Sequence, residues 1–335
     1  MASVDSYDHQ PGVHCGAAAL RNVTAFYGWR YSEAVCFGVG GGPAFVGYDA
    51  PGRPCTFRAS PPWLERAFFE RLGVPHLFQT GDDFGTAWDE VTARVDEDDP
   101  VLLFLDPAPL EYLSEQAHVP PHVAVLIGYD DETAYLSDAA VETRQAVSRS
   151  TLSDAWSSDR FVDLTNEYLV VTRAGRTADD TDAAAAGLRS AATYMLDPLQ
   201  IQRNARGPGD EGLAATRWFA NALGTWAEMP EATRPVRFAK RAIDEHGDGT
   251  AYRALFAESL AELGQRTGLP ASLGDRMGRA AEEWRTVADI LSDIVEEGGS
   301  REATFEEAAS IVSSVADREE AIFEDLATEL GTAND

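Results

Sequence analysis

The sequence predicts two domains, an α+β N-terminal domain followed by an all-α C-terminal domain. Three observations carry this reading. Val13 to Tyr27, V-H-C-G-A-A-A-L-R-N-V-T-A-F-Y, sets Leu20, Val23, Phe26 and Tyr27 on one face of an amphipathic helix. Between Pro75 and Thr172, short apolar runs bounded by Pro, Gly and Asp read as strands. Beyond a polar, small-residue stretch at Ala174 to Ala186, the apolar spacing is helical throughout. The expected organisation is therefore 1–173, a linker at 174–186 and a helical domain at 187–332, which suits a chain of 335 residues.

The opening helix is expected to stop at Gly28. Cys36 to Gly47, C-F-G-V-G-G-G-P-A-F-V-G, reads as a loop with unusual backbone angles. It lacks the Lys-Ser/Thr of a P-loop and the G-x-G-x-x-G spacing, so it is expected to be a structural loop. Gly40, Gly41 and Gly42 would then wall a substrate pocket. Ser60-Pro61-Pro62 opens a helix to about Leu72, and Pro75 to Gln79 is a short strand. Asp83 to Val95 is a helix with Phe84, Trp88, Val91 and Val95 on one side. V-L-L-F-L at 101–105 is a fully buried strand ended by Asp106 and Pro107. His122 to Tyr129 and Ala134 to Asp138 form a β-hairpin around a turn at Asp130 to Thr133. Ser150 to Ser157 is a short helix and Tyr168 to Thr172 a last strand. Helices follow near 184–195, 212–226, 234–245, 250–267, 273–297 and 304–330, with Trp218, Trp226 and Trp284 as core.

Composition excludes several functions. There are 56 acidic against 27 basic residues, a formal charge of −29, and Lys240 is the only lysine. This argues against nucleic acid or an anionic membrane as partner. Acids spread along the chain with almost no lysine resemble a halophilic protein, since molar salt shortens the screening length to roughly 3 Å. No apolar run approaches a membrane span, and the first residues lack a signal-peptide core, so the expected location is cytoplasmic. The three cysteines, Cys15, Cys36 and Cys55, show no C-x-x-C or zinc spacing. No metal or cofactor is expected.

One constellation can carry chemistry. Cys15 lies at a helix start, where unpaired N–H groups and a partial positive charge favour a thiolate. The hairpin brings His122 and Asp138, sixteen positions apart, to one sheet edge. Cys15, His122 and Asp138 therefore fit a nucleophile, a base and an orienting carboxylate. The oxyanion would sit on the Cys15 backbone N–H and a side-chain amide, for which Gln10 is the candidate. His118 is the rival base. His14 adjoins the nucleophile but points elsewhere, and His9, His76 and His246 have no supporting context. Each of the three also has a plain structural reading: a packed thiol, a strand-end histidine, a turn-capping aspartate.

H-C-G with L-R-N, then V-C-F-G-V-G-G-G, then P-H-V-A-V-L-I-G-Y-D-D with S-D after the hairpin resemble the N-terminal domain of the butirosin biosynthesis protein H family. The resemblance covers about residues 13 to 173, and G-T-A-Y-R-A-L-F-A-E-S-L at 249–260 resembles the C-terminal domain that often follows it. It implies a papain-like cysteine peptidase-type fold with a central helix and antiparallel sheet, and a setting in antibiotic or secondary metabolism. It also implies an acyltransferase that moves an aminoacyl group from a carrier-protein or coenzyme A thioester to an amine, with Cys15 as nucleophile, His122 as base and Asp138 as third member. Related peptidases place the oxyanion Gln six residues before the Cys, whereas Gln10 is five before. Tyr252 and Arg253, in the matching helix, are candidates for the acceptor pocket. The competing readings are a cysteine peptidase or amidase with the same triad, and a non-enzymatic binding module whose helical half docks a partner or forms a homodimer.

Overall fold

The computed structural model describes residues 2–49, 56–113, 121–160, 163–198, 211–229, 231–296 and 302–331. The chain divides into two compact units, Met1–Cys36 with Glu65–Ala178, and Phe37–Leu64 with Asp179–Asp335. Segment 37–64, expected within the N-terminal domain, thus clusters with the helical unit. His118 and Cys55 lie outside the described residues.

In the first unit the strands are β1 (Ala2–Ser3), β4 (His76–Gln79), β5 (Val101–Leu105), β6 (His122–Tyr129), β7 (Thr133–Ser137), β8 (Gln145–Ser148) and β9 (Tyr168–Val171). They form one antiparallel sheet in the order β4-β9-β5-β6-β7-β8, with β1 paired to the far end of β6. β5 is apolar at every position because it is buried on both faces. The helices are α1 (Cys15–Phe26), α4 (Phe84–Asp96) and α5 (Arg149–Trp156). α1 packs its Ala17, Ala18, Leu20 and Val23 face against β6. α4 and α5 begin where short polar side chains take up orphan N–H groups: Asp83 accepts from Thr86 N at 3.1 Å and Ser148 from Thr151 N at 3.0 Å. α2 (Glu33–Gly40) and α3 (Leu64–Arg71) are the helices within which the chain passes from one unit to the other. A helix-bearing antiparallel sheet followed by helices is the expected α+β class.

The second unit holds α6 (Asp180–Leu196), α7 (Gly212–Trp226), α8 (Thr233–Lys240), α9 (Arg253–Thr267), α10 (Ser272–Glu296) and α11 (Glu302–Glu329). α8 runs on into a π-helical turn at Arg241–Glu245. α11 packs against α6, α7 and α10, and α9 against α6 and α10. A two-stranded hairpin, β2 (Val46–Tyr48) with β3 (Thr56–Arg58), packs against α7 and α8. Trp284 and Trp226 are buried, as their helical faces predict.

Three expectations are corrected. The stretch read as a linker is helical from Asp180, because Asp179 caps α6 by accepting from Thr181 N at 2.7 Å and two further aspartates complement its dipole. The glycine-rich stretch is helical to Gly40 and stops at Gly41, whose φ of +93° suits glycine. Its glycines serve packing: a Cβ on Gly40 would lie 2.5 Å from Leu64, and one on Gly42 would meet the Phe37 ring at 2.4 Å. Gly40, Gly41 and Gly42 are all buried, with Gly40 and Gly42 packed on Leu64 and Phe37, so none presents an open pocket wall. Strands β1, β2, β3 and β8 carry too short an apolar pattern to be read from sequence. Among the described residues no helix is long and apolar enough to cross a membrane.

Candidate active site

The site begins with the loop before α1. Glu33, at the start of α2, accepts from the backbone N–H of Val13 at 2.9 Å and of His14 at 2.7 Å, and its other oxygen pairs with Arg21 at 3.3 Å. Arg21 donates to the carbonyls of Gln10 at 2.7 Å and Pro11 at 2.9 Å, and Asn22 donates to Gln10 O at 2.9 Å. Gly12 N donates to Ala139 O at 2.8 Å, which ties this loop to the end of the hairpin. The L-R-N run thus holds the chain that delivers Cys15. His14 caps α1 by accepting from Ala17 N at 3.0 Å. That bond uses His14 Nδ1 and removes it as a base for the thiol. Among the described residues the Cys15 backbone N–H has no acceptor, so it stands open at the helix start.

Cys15 is a free, half-buried thiol. Its side chain is near enough to His122 to help raise the His122 pKa. His122 Nε2 donates to Asp138 Oδ2 at 2.7 Å. Asp138 is fully buried, and its two oxygens accept three bonds: Oδ2 also takes the Tyr112 hydroxyl at 2.7 Å, and Oδ1 takes Ala140 N at 3.0 Å. Burial opposes the imidazolium, but the Asp138 charge, the bond to Asp138 and the influence of Cys15 outweigh it and hold the His122 pKa well above the usual value. Burial likewise opposes the Asp138 carboxylate, but the His122 charge and the bonds to His122, Ala140 and Tyr112 outweigh it, so its pKa is lowered.

Register decides that His122 and Asp138 meet. Next to the turn, Tyr129 pairs with Ala134 and Gly128 with Tyr135. A bulge between Leu126 and Gly128 then shifts the ladder, so that Leu126 pairs with Leu136 and Val125 with Ser137. Carried one residue on, Asp138 stands opposite Ala124, diagonal to His122 on the same face. Without the bulge Asp138 would face Val125 and point to the other side of the sheet.

The remaining candidates fall elsewhere. Gln10 is exposed and its amide donates to Asp8 at 3.0 Å rather than to the Cys15 side, so the side-chain amide expected in the oxyanion site is not delivered. Arg253 is wholly buried in the second unit. It pairs with Glu319 through two bonds, at 2.8 and 2.9 Å, and donates to Ala44 O and Ala251 O at 2.9 Å. Trp284 donates to the same Glu319 at 2.8 Å. Tyr252 is buried at φ +61° against Phe37. Both are structural residues of the helical unit, not pocket lining. His76 bonds to its own loop at Val74 O, 2.8 Å away. His9 donates from Nε2 to Val141 O at 3.0 Å and accepts from Ser137 at 2.8 Å, which holds the hairpin end beside Asp138. Tyr112, Glu33 and His9 escape a reading of the sequence because no local pattern marks a residue that acts across 26, 20 or 128 positions. Among the described residues no group of three or more His, Cys, Asp and Glu side chains could hold a metal.

The family described as Butirosin biosynthesis protein H, N-terminal, matches residues 14–139. The family described as a domain of unknown function, DUF4872, matches residues 150–326, over half of the chain. A comparison with curated proteins finds no match. A crystal structure from Bacillus anthracis, of a protein described as a C39-like peptidase, aligns over 51% of this chain and 98% of its own, at 16% identity and a TM-score of 0.38. The N-terminal family and the site support a cysteine-based chemistry of the acyltransferase or peptidase type. The chain belongs to the DUF4872 family, and its residues 14–139 match the butirosin biosynthesis protein H N-terminal model.

Proposed function

We propose that the protein is a cysteine-dependent acyltransferase in which Cys15, His122 and Asp138 act as nucleophile, proton carrier and orienter. The observation that supports this most is the His122 ring bonded to the buried Asp138 carboxylate, with Cys15 near enough to raise the His122 pKa. The Cys15 thiolate attacks the carbonyl carbon of a thioester, and the oxygen takes the negative charge. The Cys15 N–H at the head of α1 would stabilise it. The tetrahedral intermediate collapses, the donor thiolate leaves, and the His122 imidazolium gives it a proton. An acyl-Cys15 thioester remains. A neutral amine then attacks that carbonyl, His122 takes the amine proton, and Cys15 leaves as thiolate paired again with the imidazolium. Asp138 keeps Nε2 protonated throughout, so Nδ1 faces sulfur. A donor on an acyl carrier protein or coenzyme A and a small-molecule amine acceptor suit this reading. No metal or cofactor enters any step.

The test is direct. The protein is incubated with a short acyl thioester of N-acetylcysteamine and examined by intact mass. A single acyl adduct is expected on the wild type, mapped to Cys15, and none on Cys15→Ala. The adduct should transfer to added primary amines faster than to water. Faster loss to water would assign the same triad to hydrolysis. No adduct on the wild type with any acyl donor would overturn the enzyme reading and leave a binding module.

A further inference from the structure

We propose that Tyr112 is a positioning residue of this site, which sets the direction and proton affinity of His122 through Asp138. The proposal rests on the acyl-transfer reading for its kinetic consequence alone. Asp138 is fully buried, and a carboxylate there stays ionised only while its lone pairs are used. Oδ2 accepts two bonds of equal length, 2.7 Å, from His122 Nε2 and from the Tyr112 hydroxyl. The phenol therefore draws on the same oxygen that pulls the imidazole proton. It limits how strongly the carboxylate holds that proton and fixes the carboxylate plane from a second direction. Burial and the Asp138 charge push the Tyr112 pKa up, so the phenol remains a donor at any working pH.

Tyr112 is delivered deliberately. It comes from the chain after β5, not from the hairpin. Asp106, itself buried, accepts from Ala108 N at 3.0 Å and from Ser158 Oγ at 2.6 Å, and its N–H donates to Ala155 O at 2.8 Å. Two further turns follow, Leu110 N to Pro107 O at 3.0 Å and Leu113 N to Leu110 O at 2.9 Å. A pinned segment thus carries the hydroxyl to Asp138. Among the described residues, the titratable groups that face the His122–Asp138 pair are Cys15 and Tyr112. The Ala140 N–H completes the carboxylate, and His9 bonds to Ser137 and Val141 beside it.

The experiment reads the proton between His122 and Asp138 in full-length protein carrying ¹⁵N-histidine. The Nε2 proton of the wild type should resonate far downfield, and the signal should vanish in Asp138→Asn. In Tyr112→Phe it should move further downfield, because Oδ2 then serves one donor. In protein grown with 3-fluorotyrosine, whose phenol is a stronger donor and keeps its shape, it should move upfield. Iodoacetamide modification of Cys15, mapped by peptide mass, should show a shifted pH profile in Tyr112→Phe. Transfer from the thioester probe should slow about tenfold. A resonance and a profile unmoved in both proteins would overturn the proposal. If Tyr112→Phe fails to fold, the fluorotyrosine protein decides alone. A moved resonance in a protein that forms no Cys15 adduct would sustain Tyr112 as the partner of Asp138 and overturn only the acyl-transfer reading.

Discussion

In the proposed acyl transfer, His122 is the group that would hold the proton taken from Cys15. The His122 pKa lies well above its usual value and the Asp138 pKa below the usual carboxylate range. Signs follow from linkage. The raised His122 stabilises the fold below its unfolded value of about 6.5, and that contribution fades as pH rises through the raised folded value. The lowered Asp138 stabilises above about 3.9 and loses its contribution as pH falls through the lower folded value. The pair is therefore intact across neutrality. The alkaline limb of the Cys15 reaction should lie well above pH ~6.5. A limb centred at or below that value, in a pH series of Cys15 acylation, would contradict the site. Asp138→Asn should lower the rate by at least about a hundredfold with little change in probe binding, since it frees the wrong imidazole tautomer. His122 and Asp138 were readable as candidates because a hairpin has a sequence signature. Tyr112 and Glu33 were not, since each acts on a residue far along the chain.

At the scale of elements, close packing replaces the pocket expected from the glycine-rich stretch. In the helical unit, a Cβ on Gly187 of α6 would lie 2.4 Å from Gly38 O and 2.6 Å from Val39 Cα of α2. These are backbone atoms and cannot swing aside. Gly187→Ala gains up to about 1 kcal/mol of helix propensity. Overpacking costs about 1–3 kcal/mol and should win, so the urea midpoint should fall. The Arg253–Glu319 pair fastens Ala44, in the segment before β2, to α9 and α11. Arg253→Met strands a buried carboxylate and should cost about 3–5 kcal/mol in denaturant unfolding. Arg253→Met with Glu319→Leu should recover much of that loss, because no lone charge then remains buried. α6 also shows why local composition misleads. D-D-T-D-A-A-A-A is small and polar, yet a capping Asp179 and an alanine run make it helix.

For the whole molecule the dominant property is a net charge of −29, spread over both units. Like charges at this density oppose compaction in dilute buffer, and molar salt screens them at roughly 3 Å. The thermal midpoint should therefore rise substantially from dilute buffer to molar KCl. Equal midpoints in both would exclude a salt-adapted surface. The sequence by itself determined the cysteine at a helix start, the hairpin that follows, and the change from a sheet-bearing half to helices. Each of these is written in local periodicity and capping. Tertiary structure alone decided that residues 37–64 cluster with the helices, that Gln10 turns to Asp8, and that Glu33, Arg21 and Asn22 hold the Cys15 loop. It also decided that Asp138 shares a face with His122. That outcome hangs on one extra residue in β6, between Leu126 and Gly128. Register is a property of two paired strands, and no single stretch of sequence contains it.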